Sequence, residues 1–501
     1  MKQIIIDVGI SEKKVAVLEE NQLVELYIER EGDLRITGNI YKGRVVNVLP
    51  GMQAAFVDIG LEKNAFLYVK DALPKEVSKD SQLNIRNIAI KDVVKSGQEI
   101  IVQVVKEPFG TKGARVTTHI SIPGRQMVIM EGTDYIGVSK RITDEEDRNR
   151  LRKLAKKYKP KDKGIILRTA SKDIDEEDFK NDMIFLVKTL EKIDKEKKLG
   201  IAPKTIYNEL DLIHRVVRDL FTKDVEKIVI NNKAMLDSIY DLASLITPEL
   251  KSRIEIFEDT EDIFNHFKIN SMIKSSLEKK VPLDSGGYLV IDETEALTSI
   301  DINTGKYVGN LNLRDTVLNL NIEATKEIAK QLRLRNIGGI VIVDFIDMAG
   351  KKDEEKVIDA LNIELEKDKV QTQVFGMTKL GLLEMARKKV GSRLSEKFLK
   401  NCTCCDGTGK VSSDEEVLAN IEKQVRRTVN HTTAESMIFK VSPYIGEYIK
   451  NQKKEYINSM KKEMDIDVFF LKDNLIDIDS AKIFKIGKRE FINSILKDEI
   501  D

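Results

Sequence analysis

The chain has 501 residues, 41% of them hydrophobic and 33% charged, a length that calls for several cores rather than one. Lys+Arg and Asp+Glu both number 83, so the net charge is zero, and a nucleic-acid partner would have to be met by local basic surface. No window approaches the ~18 apolar residues of a membrane span, and "MKQIIIDVGI" is too short an apolar run for a signal peptide. The three cysteines lie within four positions and cannot staple separate domains, so a reducing, cytoplasmic setting is expected.

Residues 1–35 read as strands, with "KQIIIDVG", "KKVAVLEE" and "QLVELYIER" broken by turn residues. Residues 36–118 continue in strands, punctuated by glycines at turn-like intervals, which predicts a small barrel. In residues 119–200, "GIILRTAS" is an apolar strand ending in a cation. A helix follows in "DIDEEDFKNDMIFLVKTLEKIDKEKKLG", with acids leading and lysines closing. Its apolar face is Phe179, Met183, Ile184, Leu186, Val187 and Leu190, and Gly200 can cap it. Residues 201–278 read as α/β, with "TIYNELDLIHRVVRDLF" helical and "VEKIVI" a strand. Residues 279–400 hold the clearest α/β pattern. "GYLVIDETEALTSIDINTG" is a strand hairpin, "VLNLNIEATKEIAKQLRLRNIGG" a long helix stopped by two glycines, and "IVIVDFIDM" a buried strand followed by helices. The last segment, 415–501, is a charged αβ domain with little visible chemistry.

Two strands of the 279–400 region end in carboxylates. Asp301 and Asn303, two apart on a strand, face the same side. Asp344 interrupts the run Ile340–Val343, which otherwise belongs in a core, where an unpaired carboxylate is costly. The helix 315–335 is a crossover of the right length to bring the two strands side by side. Two carboxylates and an amide oxygen make a hard oxygen site suited to Mg²⁺, which can activate water on a phosphodiester. Alternatively, Asp301 and Asp344 cap strand ends or pair with Arg333 and Arg335. Asp292 and Asp347 are competing carboxylates.

"LTSIDINTG", "LNIEATKEIAKQLRLRNIGGIVIVDFIDM", "GLLEMARKK" and "CTCCDGTG" resemble the ribonuclease E/G family in order and spacing, over residues 1 to about 415. The resemblance implies a multidomain α/β and α+β chain. An RNase H-like domain (1–35 and 215–278) carries an inserted S1-type OB barrel (36–118) and a 5′-sensor domain (119–214). A DNase I-like α/β catalytic domain (279–400), a zinc link (401–415) and a small C-terminal αβ domain (416–501) follow. It implies an endoribonuclease with Mg²⁺ on Asp301 and Asp344, supported by Asn303, that hydrolyses single-stranded A/U-rich RNA to 3′-hydroxyl and 5′-phosphate ends. The expected roles are ribosomal RNA and transfer RNA processing and mRNA decay. RNA would lie on Phe56, Phe66 and Lys112 of the barrel, since OB barrels hold single strands by stacking and nearby cations. The alternative is that each Phe is core. A 5′-monophosphate would be held by Arg168 and Thr169, with Val128 and Arg141 nearby; the alternative for Arg168 is a surface cation at a strand end. The basic run 148–163 reads first as a solvated helix face and second as an electrostatic attractant for RNA. Asp7 sits where an active RNase H-like strand carries a metal carboxylate, but alone it makes no two-metal site.

The length suggests the ribonuclease G-like form without a long scaffold, and degradosome partners stay open. A function of another class, a non-catalytic RNA-binding protein, is disfavoured by Asp301, Asn303 and Asp344 together.

Cys402 and Cys405 have Cys-x-x-Cys spacing and no second pair, whereas Zn²⁺ wants four ligands. A redox couple lacks a thioredoxin-like βαβ context, and the nearest histidine onward is His431. Two protomers giving two thiolates each to one Zn²⁺ is the third answer, natural to a two-fold interface. The resemblance implies that shared zinc, and with it a dimer that builds a dimer of dimers, a homotetramer. Thr403 in place of the family's Pro and the extra thiol Cys404 are departures from the family.

Overall fold

The computed structural model describes residues 1–32, 35–73, 88–108, 112–306 and 313–498. They form two compact units, Met1–Leu394 and Ser395–Asp501, so the second begins a little before the cysteines. The fold is mixed α/β with a closed barrel.

The first unit opens with a five-stranded sheet ordered Ile254–Ile256, Val225–Ile230, Lys2–Val8, Glu12–Glu19, Gln22–Arg30. The chain leaves it after Arg30 and returns with the helix Leu212–Leu220, which packs Ile213, Val216 and Val217 against it. Asp211 caps that helix by accepting from the His214 N–H. The segment "TIYNELDLIHRVVRDLF", expected to be one helix, is instead a strand, Lys204–Tyr207, then the cap and the helix. The strand pairs with Ile40–Leu49 of the barrel, a tertiary contact that outweighs local propensity. A boundary at 214/215 falls inside the helix.

Between these two passes lie the barrel and a second sheet. Ile40–Leu49, Ala54–Asp58, Ala65–Tyr68, Arg115–Thr117 and Glu99–Lys106 pair in that order, and Ile40–Leu49 also pairs with Glu99–Lys106, closing the ring. Ala55, Val57, Ala65 and Leu67 fill its interior. The four-stranded sheet Ile136–Val138, Lys163–Leu167, Met127–Glu131, Ser121–Pro123 packs on the helices Glu145–Tyr158 and Glu176–Lys197. On the latter helix Phe179, Met183, Leu186 and Leu190 are buried as expected, but Ile184 is half exposed.

The last sheet of this unit is ordered Lys280–Pro282, Tyr288–Glu293, Leu297–Asn303, Gly339–Asp344, Leu382–Arg387, Thr372–Met377. Leu297–Asn303 and Gly339–Asp344 are parallel and joined by the crossover helix Leu313–Leu334. One sheet face is covered: Ile300, Ile302, Val341, Val343, Leu383 and Met385 pack with Leu320, Ala324 and Ile328 of that helix and with Val357 and Leu361 of Lys351–Leu365. The other face is open. Two helices follow "IVIVDFIDM", Lys351–Leu365 and the short Leu394–Phe398, but "GLLEMARKK" between them enters the sheet as the strand Leu382–Arg387.

The second unit holds the helix Asp414–His431 and a three-stranded sheet in which Ser436–Val441 runs parallel to Asp467–Lys472 and antiparallel to Ala481–Gly487. Helices Pro443–Gln452 and Lys454–Met464 join the parallel pair. The βαβ context expected to be absent is therefore present. The cysteines lie ahead of it, in turns before Asp414–His431.

Candidate active site

Asp301 and Asp344 are register partners on the two adjacent parallel strands. Alternation puts Ile300, Ile302 and Val343 in the core and both carboxylates on the open face, where both are exposed. The burial expected for Asp344 is corrected: it stands at the strand end on the solvent side, so its carboxylate pays no desolvation cost. Asn303, on the same face, donates from Nδ2 to Asp301 Oδ2 at 2.8 Å, which holds that carboxylate in place.

Arg333 and Arg335 do not pair with Asp301 or Asp344. Arg333 is spent on Glu19 and Glu25 of the five-stranded sheet, at 2.9 and 2.8 Å, and Arg335 on the Gln331 side chain and the Glu278 carbonyl. Asp292 lies on the open face too, opposite Ser299, but is paired with Lys279 at 2.5 Å. Asp347 lies beyond the strand end. Among the described residues no three His, Cys, Asp or Glu side chains gather as a metal-holding group. A pair of carboxylates with an amide nonetheless fits Mg²⁺, which keeps several waters and takes one or two carboxylates plus phosphate oxygens.

On the barrel, Phe56 and Phe66 are register partners and alternate with the buried Ala55, Val57, Ala65 and Leu67, so they lie outside the core. Their rings meet edge to face at 5.5 Å. Sequence reasoning missed Tyr68 and Arg115. Tyr68 meets Phe66 at 4.4 Å, and the Arg115 guanidinium sits 5.0 Å over the Tyr68 ring, held by Asp71 at 2.8 Å. The signal was there, since "AFLY" repeats aromatics with period two. Lys112 is exposed just before Arg115–Thr117. Gly113 makes that placement possible: a Cβ there would lie 2.0 Å from the Asn64 carbonyl oxygen.

Arg168 and Thr169 leave the strand Lys163–Leu167 together. Arg168 donates from Nη1 to the Gly124 carbonyl (2.7 Å) and to Asp219 Oδ1 (2.8 Å). Burial alone would raise the Asp219 pKa, but Arg218 and Arg168 hold it below the usual carboxylate range. Thr169 shares a hydrogen bond with the Ser139 hydroxyl at 3.0 Å, and the Arg141 N–H donates to the same hydroxyl. Arg141 Nη1 reaches the Lys369 carbonyl at 3.0 Å. Val128 pairs with Ile166 and lies opposite in facing to the buried Met127 and Ile129, on the outer side with Arg168. Two supports were not legible in the sequence. Asp182, buried, accepts the N–H groups of Arg125, Gln126 and Met127 and so shapes the turn whose Gly124 carbonyl meets Arg168. Arg148 donates to the Ser139 and Ile142 carbonyls and holds the loop that carries Arg141. With Arg150 donating to the Ile174 carbonyl, the basic run is used within its own fold.

Asp7 Oδ1 accepts from Asn231 Nδ2 at 2.7 Å, and burial pushes its pKa up. In the second unit, the Gly409 N–H points at the Cys405 sulfur at 3.3 Å. The N–H groups of Cys405 and Cys404 and the Cys405 side chain hold the Cys402 thiol below its ordinary pKa. Such N–H donation favours thiolate at Cys402. Cys404 is exposed beside them.

Residues 121–390 match the Ribonuclease E/G family, and residues 401–486 match the "RNase E/G, Thioredoxin-like domain". The chain is 41% identical to Ribonuclease G of Escherichia coli (strain K12) over 454 residues, 90% of this chain and 92% of that protein. It is 41% identical to Ribonuclease G of Salmonella typhimurium (strain SL1344) with the same shares. Against Ribonuclease E of Haemophilus influenzae it is 32% identical over 99% of this chain, but 53% of that longer protein. The chain belongs to the ribonuclease E/G family.

Proposed function

We propose that this endoribonuclease is Mg²⁺-dependent and hydrolyses single-stranded, A/U-rich RNA internally, favours 5′-monophosphorylated substrates, and leaves 3′-hydroxyl and 5′-phosphate ends. The observation that carries the reading is the register pairing of Asp301 with Asp344 on one open sheet face, with Asn303 bonded to Asp301. Asp301 and Asp344 would hold Mg²⁺, which supplies an activated water and stabilises charge on the phosphodiester. Asn303 orients the Asp301 carboxylate. The half-buried aromatic cluster on the outside of the barrel, with Arg115 and Lys112, stacks bases and attracts phosphates. Arg168 and Thr169, next to Ser139 and Arg141, take the terminal phosphate.

In this reading the five-stranded sheet is the RNase H-like domain and the barrel the S1-type OB domain. The four-stranded sheet is the 5′ sensor and the six-stranded one the DNase I-like catalytic domain. Cys402 and Cys405 are half of a zinc link, completed by a second protomer in a dimer that pairs again into a tetramer. Cellular work on ribosomal and transfer RNA precursors and on mRNA, in the cytoplasm, goes with that assignment. The test is product analysis with a 5′-monophosphorylated A/U-rich oligonucleotide. Internal cuts that need Mg²⁺, stop with EDTA and leave ligatable 5′-phosphates are expected. EDTA-resistant cuts or cyclic phosphate ends would overturn the reading.

A further inference from the structure

The open face that carries the carboxylates also carries two aromatic rings, one on either side. In the strand Thr372–Met377, pairing with Leu382–Arg387 is interrupted between Val374 and Gly376. Val374 and Met377 pack into the core, while Phe375, the extra residue, is 60% exposed. Gly376 has φ +116°, a backbone conformation side chains resist, although nothing crowds its Cβ position. The glycine therefore serves the bulge, and bulges beside active sites re-aim a side chain. The bulge leaves this large apolar ring in water, outside the core cluster.

Position on the sheet gives the ring a use. Gly376 pairs with Glu384, and Glu384 with Ile342, two residues before Asp344. Phe375 is thus two strands and about two residues from Asp344, ~12 Å by ordinary strand spacing and rise. On the other side, Tyr288 pairs with Asn303, two residues beyond Asp301 and one strand away, ~8 Å by the same measure. The displacements run in opposite directions along the strands, so a line from Tyr288 to Phe375 crosses the face diagonally over the carboxylate pair. Lys280 lies 3.6 Å over the Tyr288 ring and adds a cation at that end. The carboxylates themselves repel a phosphate strand. Attachment to this face must come from groups indifferent to that charge, and aromatic faces are such groups.

Resting on the assignment of Asp301 and Asp344 as the cleavage site, we infer that Phe375 and Tyr288 stack bases of the RNA on the two sides of the scissile phosphate. The occupant of this face is the single strand being cut. Both residues position substrate and do no chemistry.

The test uses the whole protein and 5′-monophosphorylated A/U-rich oligonucleotides with one abasic nucleotide placed in turn on each side of the cut. Phe375→Ala lowers kcat/KM about tenfold, and Phe375→Tyr restores most of it. Abasic substitution on one side slows the wild-type protein by a similar factor and does not slow Phe375→Ala further. Tyr288→Ala shows the same insensitivity to abasic sites on the opposite side. Equal abasic penalties in wild-type and variant proteins overturn the inference, because the ring then touches no base. So does a change of oligomer mass in Phe375→Ala with the abasic penalties intact, which makes the face a contact between copies of the chain. Cleavage that survives Asp301→Asn and Asp344→Asn sinks the underlying site and this inference together. Equal penalties with the carboxylates essential sink this inference alone.

Discussion

Replacing Arg168 by Ala is the perturbation that tests the proposed 5′-end sensing. The Arg168 side chain is 36% exposed, and its Nη1 is fixed by the Gly124 carbonyl and by Asp219. The guanidinium is therefore held in place before any phosphate arrives, with Nη2 and Nε left to donate. A hydrogen bond to a charged group contributes ~1.5–3 kcal/mol, and partial exposure puts this one at the low end. About 1.5 kcal/mol is about tenfold in the ratio of kcat/KM for 5′-monophosphorylated over 5′-hydroxyl RNA. Arg168→Ala should lose that factor on the phosphorylated substrate and leave the hydroxyl substrate unchanged. Asp219→Asn leaves the Arg168 guanidinium in place but removes the charge that anchors it, so its loss should be smaller, about threefold. Paired cleavage assays on the two oligonucleotides measure both ratios. An unchanged ratio in Arg168→Ala, or an equal fall on both substrates, would refute the reasoning.

Three further outcomes follow from the geometry. Phe66→Ala should weaken binding of single-stranded RNA by ~1–3 kcal/mol without unfolding the barrel, since the ring lies outside its core; fluorescence anisotropy and thermal melting separate the two effects. Burial would raise the Asp211 pKa, yet His214 and Lys13 hold it well below the carboxylate range. The stability this gives is present above about pH 4 and lost as pH falls through the depressed value. Asp211→Asn should be less stable at neutral pH and have a flatter acid limb in melting curves, and parallel acid limbs would count against it. Zinc analysis should find one Zn²⁺ per two chains, abolished in Cys402→Ser and Cys405→Ser; one per chain would point to an internal ligand such as His431.

The candidate carboxylates and their amide stand out in the sequence by their pattern. Asp301 and Asn303 keep period two on a strand, and Asp344 ends an apolar run. What the run could not reveal is which face Asp344 takes, because Ile340 and Ile342 are also on the open side, and apolar residues there mimic a buried strand. The strand Leu382–Arg387 is built of Leu, Glu, Met and Ala, good helix formers, and only pairing with Gly339–Asp344 makes it a strand. Asp182 and Asp219 act across more than 50 residues of sequence, and no local spacing announces them, while Arg148 reaches back nine residues to the Ser139 carbonyl. Arg333 looked like a partner for the candidate carboxylates from proximity in sequence alone. The fold gives it Glu19 and Glu25, more than 300 residues away.

The most direct test of the account is cleavage of a 5′-monophosphorylated A/U-rich oligonucleotide in Mg²⁺ by Asp301→Asn and Asp344→Asn, with RNA binding measured alongside. The account predicts that each variant binds RNA as the wild type does and fails to cut it. Wild-type rates of cleavage in both variants would contradict it.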